Sequence, residues 1–234
     1  MKICSHVIRN DVGLAPNPFH GYCTTALCTP SHMNARLEPG DWLIGHSPRA
    51  AGNRLVYAMH LAEVLIMEDY FDDGRFQAKK PNPSGSPDEQ CGDNFYFRES
   101  GRWKRMPSRF HNSPDAFVKD VGKNLAGRPV FIATDFYYFG AKRVPIPAQF
   151  ESVIRKVQGI QYTREPTAGA FVAWLRASFT PGILGPPRDL SDRSRESGRM
   201  ITDHSAASGL AAGEVGQARS SVSLPQRSRA RGCQ

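Results

Sequence analysis

Long apolar runs are missing from this sequence: none approaches the roughly 20 residues that a helix needs to span a bilayer. The segment Met1-Lys2-Ile3-Cys4-Ser5-His6 has no apolar signal core after its lysine, so the expectation is a protein neither secreted nor membrane-embedded. Cysteine is also scarce, with five in the chain at Cys4, Cys23, Cys28, Cys91 and Cys233. The number is odd, and Cys23 and Cys28 have no second Cys or His pair at ligand spacing downstream. That argues against a disulfide framework or a zinc ribbon, and for reduced thiols in the cytoplasm. There is no P-loop, no GxGxxG after a strand and no GxSxG elbow, which removes the common phosphate-loop, dinucleotide and serine-hydrolase readings. Acidic residues are outnumbered, 22 against 30 Lys and Arg, leaving a formal net charge of +8. A cationic surplus favours nucleic acid or another anion as partner, although it serves solubility equally well.

Aromatic residues end at Phe179. Beyond it, scattered Leu, Ile, Met and Val lie in a background of Ser, Arg, Gly and Ala. Such a segment cannot bury enough apolar surface to offset the entropy of ordering it. The sequence therefore divides into one folded domain over residues 1–185 and a disordered, basic, low-complexity tail over 186–234.

Within the domain, Ile3 to Ile8 reads as a first strand with β-branched Ile3, Val7 and Ile8. The loop from Gly13 to Cys23 is broken by Pro16, Pro18 and two glycines, yet holds Phe19 and Tyr22. Leu37-Glu38-Pro39-Gly40-Asp41 is a turn leading into a short buried strand, Trp42 to Gly45. Arg54 to Leu61 is another strand, with Ala62 to Met67 either continuing it or starting a helix. Glu68 to Phe76 reads as helical, with Tyr70 and Phe71 inward. A Pro-rich loop follows from Lys79 to Pro87. Asn94–Arg98 and Gly101–Arg105 form a hairpin across Glu99-Ser100. Val130–Ala133 is a buried strand, followed directly by Asp135 to Gly140. Ala148 to Val157 reads as a short helix. Ala168 to Ser178 is a second, with Phe171, Val172, Leu175 and Phe179 at helical spacing.

A base pocket needs a flat aromatic face and a few donors and acceptors for the base edge. Phe19, Tyr22 and Trp42 can supply faces, and Asn17 and Asp41 can address an edge. The bland alternative is that Phe19 and Tyr22 pin a loop to the core and Asp41 caps a turn. Lys79, Lys80, Arg98, Arg102 and Lys104, with Arg105, can form a phosphate-facing rim around the hairpin, Arg102 and Lys104 sharing one side. Lysine and arginine on an edge strand also discourage aggregation, which is the competing reading. His20, Cys23 and Asp135 are candidate catalytic groups, against the commoner fate of a small buried cysteine. No local cluster of carboxylates or histidines suggests a metal, and no cofactor is expected.

The run Gly13-x-Ala15-Pro16-Asn17-Pro18-Phe19-x-Gly21-Tyr22-Cys23-Thr24, with Cys28-x-Pro30 and Gly40-Asp41-Trp42-Leu43-Ile44-Gly45 behind it, resembles the N-terminal signature of nucleotide modification associated domain 2. Leu55-Val56-Tyr57-Ala58-Met59, Lys79-Lys80-Pro81-Asn82, Gly92-Asp93-Asn94-x-Tyr96 and Asp135-Phe136-x-Tyr138-Phe139-Gly140 match further. Around Arg109 to Pro114 the chain departs from the His- and Asp-rich family pattern and keeps only His111. The Gly-Asp-Trp turn and the Val-Tyr-Ala strand are also similar to PUA-like and EVE-type barrels.

These resemblances imply an α+β fold, a small mixed PUA-like β-barrel with peripheral helices. They imply the context of bacterial or phage DNA-base modification, without a catalytic activity to carry over. The partner expected is a nucleotide or nucleic acid with a modified base, and no membrane. The alternatives are a base- or nucleotide-modifying enzyme, or an accessory subunit that binds one.

Overall fold

The computed structural model describes residues 1–27, 35–111, 113–122, 125–157 and 159–190. The chain divides into a unit from Met1 to Glu196 and a second from Ser197 to Gln234. Cys28, Pro30, His32, Asn112, Cys233 and the tail beyond Leu190 lie outside the described residues.

Short runs rich in β-branched and aromatic residues build the sheets. β1 (Lys2–Val7), β3 (Trp42–His46), β4 (Leu55–His60), β9 (Asp135–Tyr138), β10 (Ile160–Arg164) and β11 (Gly182–Ile183) form a six-stranded sheet in the order β10-β1-β3-β4-β9-β11. It is mixed, because β1 runs parallel to β3 and β11 parallel to β9. β2 (Cys23–Thr25), β5 (Glu63–Ile66) and β8 (Pro129–Ala133) form a three-stranded sheet in the order β2-β8-β5. β4 pairs with β9 in the first sheet, and their direct continuations, β5 and β8, pair with each other in the second. One long antiparallel pair thus bends across a corner at Leu61-Ala62 and Thr134. The corner keeps its hydrogen bonds: Ala62 N–H donates to the Ile132 carbonyl at 2.9 Å and Leu61 N–H to that of Asp41 at 2.8 Å.

The α+β class is therefore as expected, but the closed barrel is not. Among the described residues the two sheets share the corner and remain separate ladders, so curvature stops short of closure. Inside the bend lies a core of Cys4, Leu43, Val56, Tyr57, Met59, Phe131, Phe136 and Tyr138. Gly45 makes room here, because a Cβ on it would lie 2.2 Å from the Tyr57 ring.

The outer face of the large sheet carries Ile3, Trp42, Ile44, Ala58 and Tyr137, covered by α3 (Thr167–Ser178) through Ala168, Phe171, Val172 and Leu175. The outer face of the small sheet carries Val130 and Ile132, covered by α1 (Met67–Asp72), the loop before β2 and the hairpin β6 (Tyr96–Glu99)–β7 (Arg102–Arg105). The hairpin turns on Ser100 and Gly101, both at positive φ, as a two-residue turn matched to the strand twist requires. α2 (Pro114–Gly122) follows it. Ala148–Val153 is a 3-10 turn and not an α-helix. Leu190 still packs on the core of the small sheet, and Ala141 N–H donates to the Pro186 carbonyl at 2.8 Å, so packed chain continues past Gly185.

Candidate nucleotide-binding site

The Pro-rich loop before β2 is held from inside. Lys79 is buried, and its ammonium donates to the Asn17 carbonyl at 3.0 Å, Asn17 Oδ1 at 2.7 Å and the Tyr22 carbonyl at 2.7 Å. Those acceptors match the three donors of an ammonium. Asn17 Nδ2 donates to the Cys91 carbonyl at 2.8 Å, so the whole Asn17 amide is engaged. Burial lowers the Lys79 pKa to about 8, with the buried Asp93 carboxylate opposing the shift, so the group remains cationic at neutral pH. Asp93 accepts from Thr24 Oγ1 at 2.7 Å and Tyr70 Oη at 2.8 Å, while burial raises its pKa. Gly92 permits this approach: a Cβ there would lie 2.5 Å from the Lys79 carbonyl oxygen.

Phe19 and Tyr22 are half-buried against the same core, and the Tyr22 ring meets Phe76 edge-on at 5.0 Å. His20 is exposed at positive φ. Cys23 is buried beside Met59 Sδ, and burial pushes its thiol up to about 12. It is therefore protonated at neutral pH, a poor state for a nucleophile.

Asp41 and Trp42 lie on another layer. Asp41 accepts from the Lys2 N–H at 3.0 Å and the Glu38 N–H at 3.2 Å, and pairs with Lys2 Nζ at 3.2 Å. It fastens the turn to β1.

The register of the large sheet then places Ile3, Trp42, His60 and Asp135 in one row, where β3 and β9 begin and β4 ends. The His60 imidazole stacks on the Trp42 indole, with centroids 5.0 Å apart and planes 22° apart. His60 Nδ1 faces Asp135 Oδ2 at 3.5 Å. From the last turn of α3, Arg176 donates to the same Asp135 Oδ2 at 2.9 Å and lies over the indole, its guanidinium carbon 5.6 Å from the ring centroid. Tyr137, two residues from Asp135 and so on the same face, stacks against Trp42 at 6.4 Å. Its hydroxyl accepts from Arg176, while burial and the Asp135 carboxylate raise its pKa, so it stays protonated.

Trp42 is 1% exposed, whereas the side chains of His60, Asp135 and Arg176 are 34%, 33% and 52% exposed. A buried indole therefore supports a partly exposed imidazole bordered by a carboxylate and a guanidinium. Two of the expected residues, Trp42 and Asp135, come together here. Asn17, Phe19 and Tyr22 belong to the other layer. His60 and Arg176 were not expected: a histidine ending an apolar strand and an arginine ending a helix are common, and only the register joins them.

The expected cationic rim also divides. Lys79 is the internal clamp just described. Arg98 pairs with Glu68 at 3.2 Å and lies over Trp103, 4.8 Å from its centroid. Phe97 is paired with Lys104 and Glu99 with Arg102, so these four share the other face of the hairpin. On that face Phe97 stacks with Phe71 of α1, centroids 4.9 Å apart and planes 19° apart. Lys80 Nζ sits 3.8 Å from the Phe71 centroid, and Lys104 pairs with Glu99. Phe71 therefore faces outward onto Phe97, unlike its inward neighbour Tyr70, because a one-residue step turns about 100° around a helix.

Among the described residues no group of three or more His, Cys, Asp or Glu is placed to hold a metal ion, and no helix is long and apolar enough to cross a membrane. Fold and surface together define a bent two-sheet α+β module with partly exposed rings bordered by charge. Residues 1–194 match the family model of nucleotide modification associated domain 2, and the chain belongs to that family. The family's description associates it with nucleotide modification. No curated protein and no solved structure matches the chain.

Proposed function

We propose that the protein is a module that recognises a nucleotide or modified base, with the base seated at His60, Asp135 and Arg176 over Trp42. The observation that carries this reading is the Trp42–His60 stack bordered by an acceptor and a donor. A heterocycle needs a π-face below it and complementary groups at its edge. The imidazole supplies the face, Asp135 accepts and Arg176 donates. Since Trp42 fixes the imidazole from beneath, little ordering is needed when a ligand arrives. The membership in a family associated with nucleotide modification supports the ligand class. Asn17 is a support for the loop in this reading, and Asp41 a support for the turn.

The test is calorimetric titration of the full chain with mononucleosides and mononucleotides, plain and base-modified. One base class should bind, and His60→Ala and Arg176→Ala should each weaken it about 5- to 30-fold, from roughly 1–2 kcal/mol of stacking or edge contact. Both residues are partly exposed, so the variants keep the fold. Binding unchanged in both variants, or no binding by any nucleoside or nucleotide at millimolar concentration, would refute the site.

A further inference from the structure

The Phe71–Phe97 face is separate from that site in both residues and layer, and its chemistry differs. We propose that it is a contact for single-stranded nucleic acid, so that the module engages a strand and not only one nucleotide. The inference extends the nucleotide reading but stands on its own residues.

Three observations carry it. Two partly exposed rings are stacked nearly parallel, with Phe71 held by α1 and Phe97 by β6. Aromatic faces receive unpaired bases of any sequence, whereas the bases of a duplex are already stacked on one another. Next, Lys80 places an ammonium directly over the Phe71 ring. A base arriving at that ring can displace the flexible lysine toward its phosphate. Finally, Arg102 and Lys104 project from the same face of the hairpin as Phe97. Among the described residues Lys104 is held by Glu99 alone, in an exposed pair, and a phosphate can take the place of such a weak partner.

The charge balance limits the character of the interaction. Arg75 is paired with Glu63 and Asp73, and Arg98 with Glu68. Asp69 and Asp72 of α1 are exposed nearby in the chain and oppose a polyanion. Lys80 and Arg102 are the cations here without a carboxylate partner among the described residues. Stacking should therefore dominate, with a shallow salt dependence. Two phosphates neutralised on a single strand give a slope near −1.4 on logarithmic axes, at about −0.7 for each. Affinity should fall only about sevenfold between 50 and 200 mM salt.

The experiment is fluorescence anisotropy with the full chain and a labelled 15-nucleotide oligothymidylate, alone and as a duplex with its complement. The single strand should bind more tightly than the duplex. Phe97→Leu, which keeps apolar bulk but removes the flat ring, should weaken binding about 5- to 100-fold. Lys80→Glu and Arg102→Glu change side chains at the surface, so the proposal does not hinge on whether Phe97→Leu folds. Each should weaken binding at least threefold and flatten the salt dependence. The proposal is overturned if Lys80→Glu and Arg102→Glu bind like the wild type, or if duplex binds as well as single strand. Neither outcome bears on mononucleotide titration, so failure here is distinguishable from failure of the base site.

Discussion

Lys79 and Lys80 are neighbours in the chain with opposite environments. The first points inward to hold Asn17 and Tyr22, and the second lies outside over the Phe71 ring. The 3-10 turn over Gly74–Lys79 ends between them, so the backbone becomes extended at Lys80 and the side chain emerges on the other side. Charge counting treats the two as one basic patch, but their roles are unrelated.

The inward lysine should be essential to stability. Replacing Lys79 by Met takes its donor from the Tyr22 carbonyl and from Asn17 Oδ1, leaves the Asn17 carbonyl only the Thr24 N–H, and deprives the buried Asp93 of its nearby cation. Breaking a buried, hydrogen-bonded charge arrangement costs about 3–5 kcal/mol. Urea unfolding of Lys79→Met should show that loss, while Lys80→Met should stay within about 0.5 kcal/mol of the wild type. Equal stability of the two variants would mean that the clamp contributes nothing.

A second prediction concerns where the domain ends. Asp11 N–H donates to Asp189 Oδ2 at 2.7 Å, Asp189 N–H donates to the Asp11 carbonyl at 2.8 Å, and the buried Tyr138 hydroxyl donates to Asp11. Cutting the chain after Gly185 removes these Asp189 bonds and the one from Ala141 to Pro186. At about 0.5–1.5 kcal/mol for each bond, the loss is about 2–4 kcal/mol. At roughly 2–4 °C per kcal/mol, Tm should fall by about 5–15 °C relative to a chain ending at residue 194. Matching melting curves would put the functional boundary back at Gly185.

Much of this architecture is visible in the residues alone. The buried strands at Trp42, Leu55 and Val130 are apolar runs bounded by turn signals, and α3 has its apolar residues at helical spacing. The hairpin was legible as well, but its turn falls on Ser100-Gly101, one residue later than the expected Glu99-Ser100. Other elements were not legible for physical reasons. β2, with only Cys23–Thr25, is too short for any period to appear. β10 reads Ile-Gln-Tyr-Thr-Arg, a mixed edge strand. α2 had a signal, Ser113-Pro114-Asp115, with Pro suited to a first helical turn and Asp near its N-terminus. The Trp42–His60–Asp135 row depends on the register of three strands widely separated in sequence, which no local pattern encodes. Asn17 and Trp42 stand out in the sequence as ligand groups, yet both are buried; the partly exposed groups around Trp42 are His60, Asp135 and Arg176.

Thiol chemistry gives a third test. Cys4, Cys23 and Cys91 are buried free thiols, and burial pushes each up to about 12. A thiol reagent at pH 8 should therefore label no more than two of the five cysteines in the native protein, and all five after unfolding in denaturant. Mass spectrometry of labelled peptides identifies them. Rapid native labelling of Cys23 would contradict its burial and restore it as a candidate nucleophile.

The last prediction follows from His46, whose two ring nitrogens have fixed roles. Its Nδ1 lies 2.9 Å from the Ser47 carbonyl and so carries the proton, while Nε2 accepts the Arg155 N–H at 2.9 Å. A second proton would place a charge in a buried site and remove the acceptor for Arg155. Burial accordingly holds the His46 pKa below its ordinary 6.5, with the Ser47 carbonyl opposing the shift. Between the lowered folded pKa and 6.5, the unfolded chain binds a proton at this position and the folded chain does not. Stability from this group is thus complete above about pH 6.5 and declines as pH falls toward the folded value. Urea midpoints measured from pH 7.5 down to 5 should decrease, and the decrease should be smaller in His46→Gln, which keeps donor and acceptor capacity but cannot titrate. Identical slopes for the two proteins would show that His46 exchanges its proton equally in both states, and that its buried hydrogen bonds do not select the neutral ring.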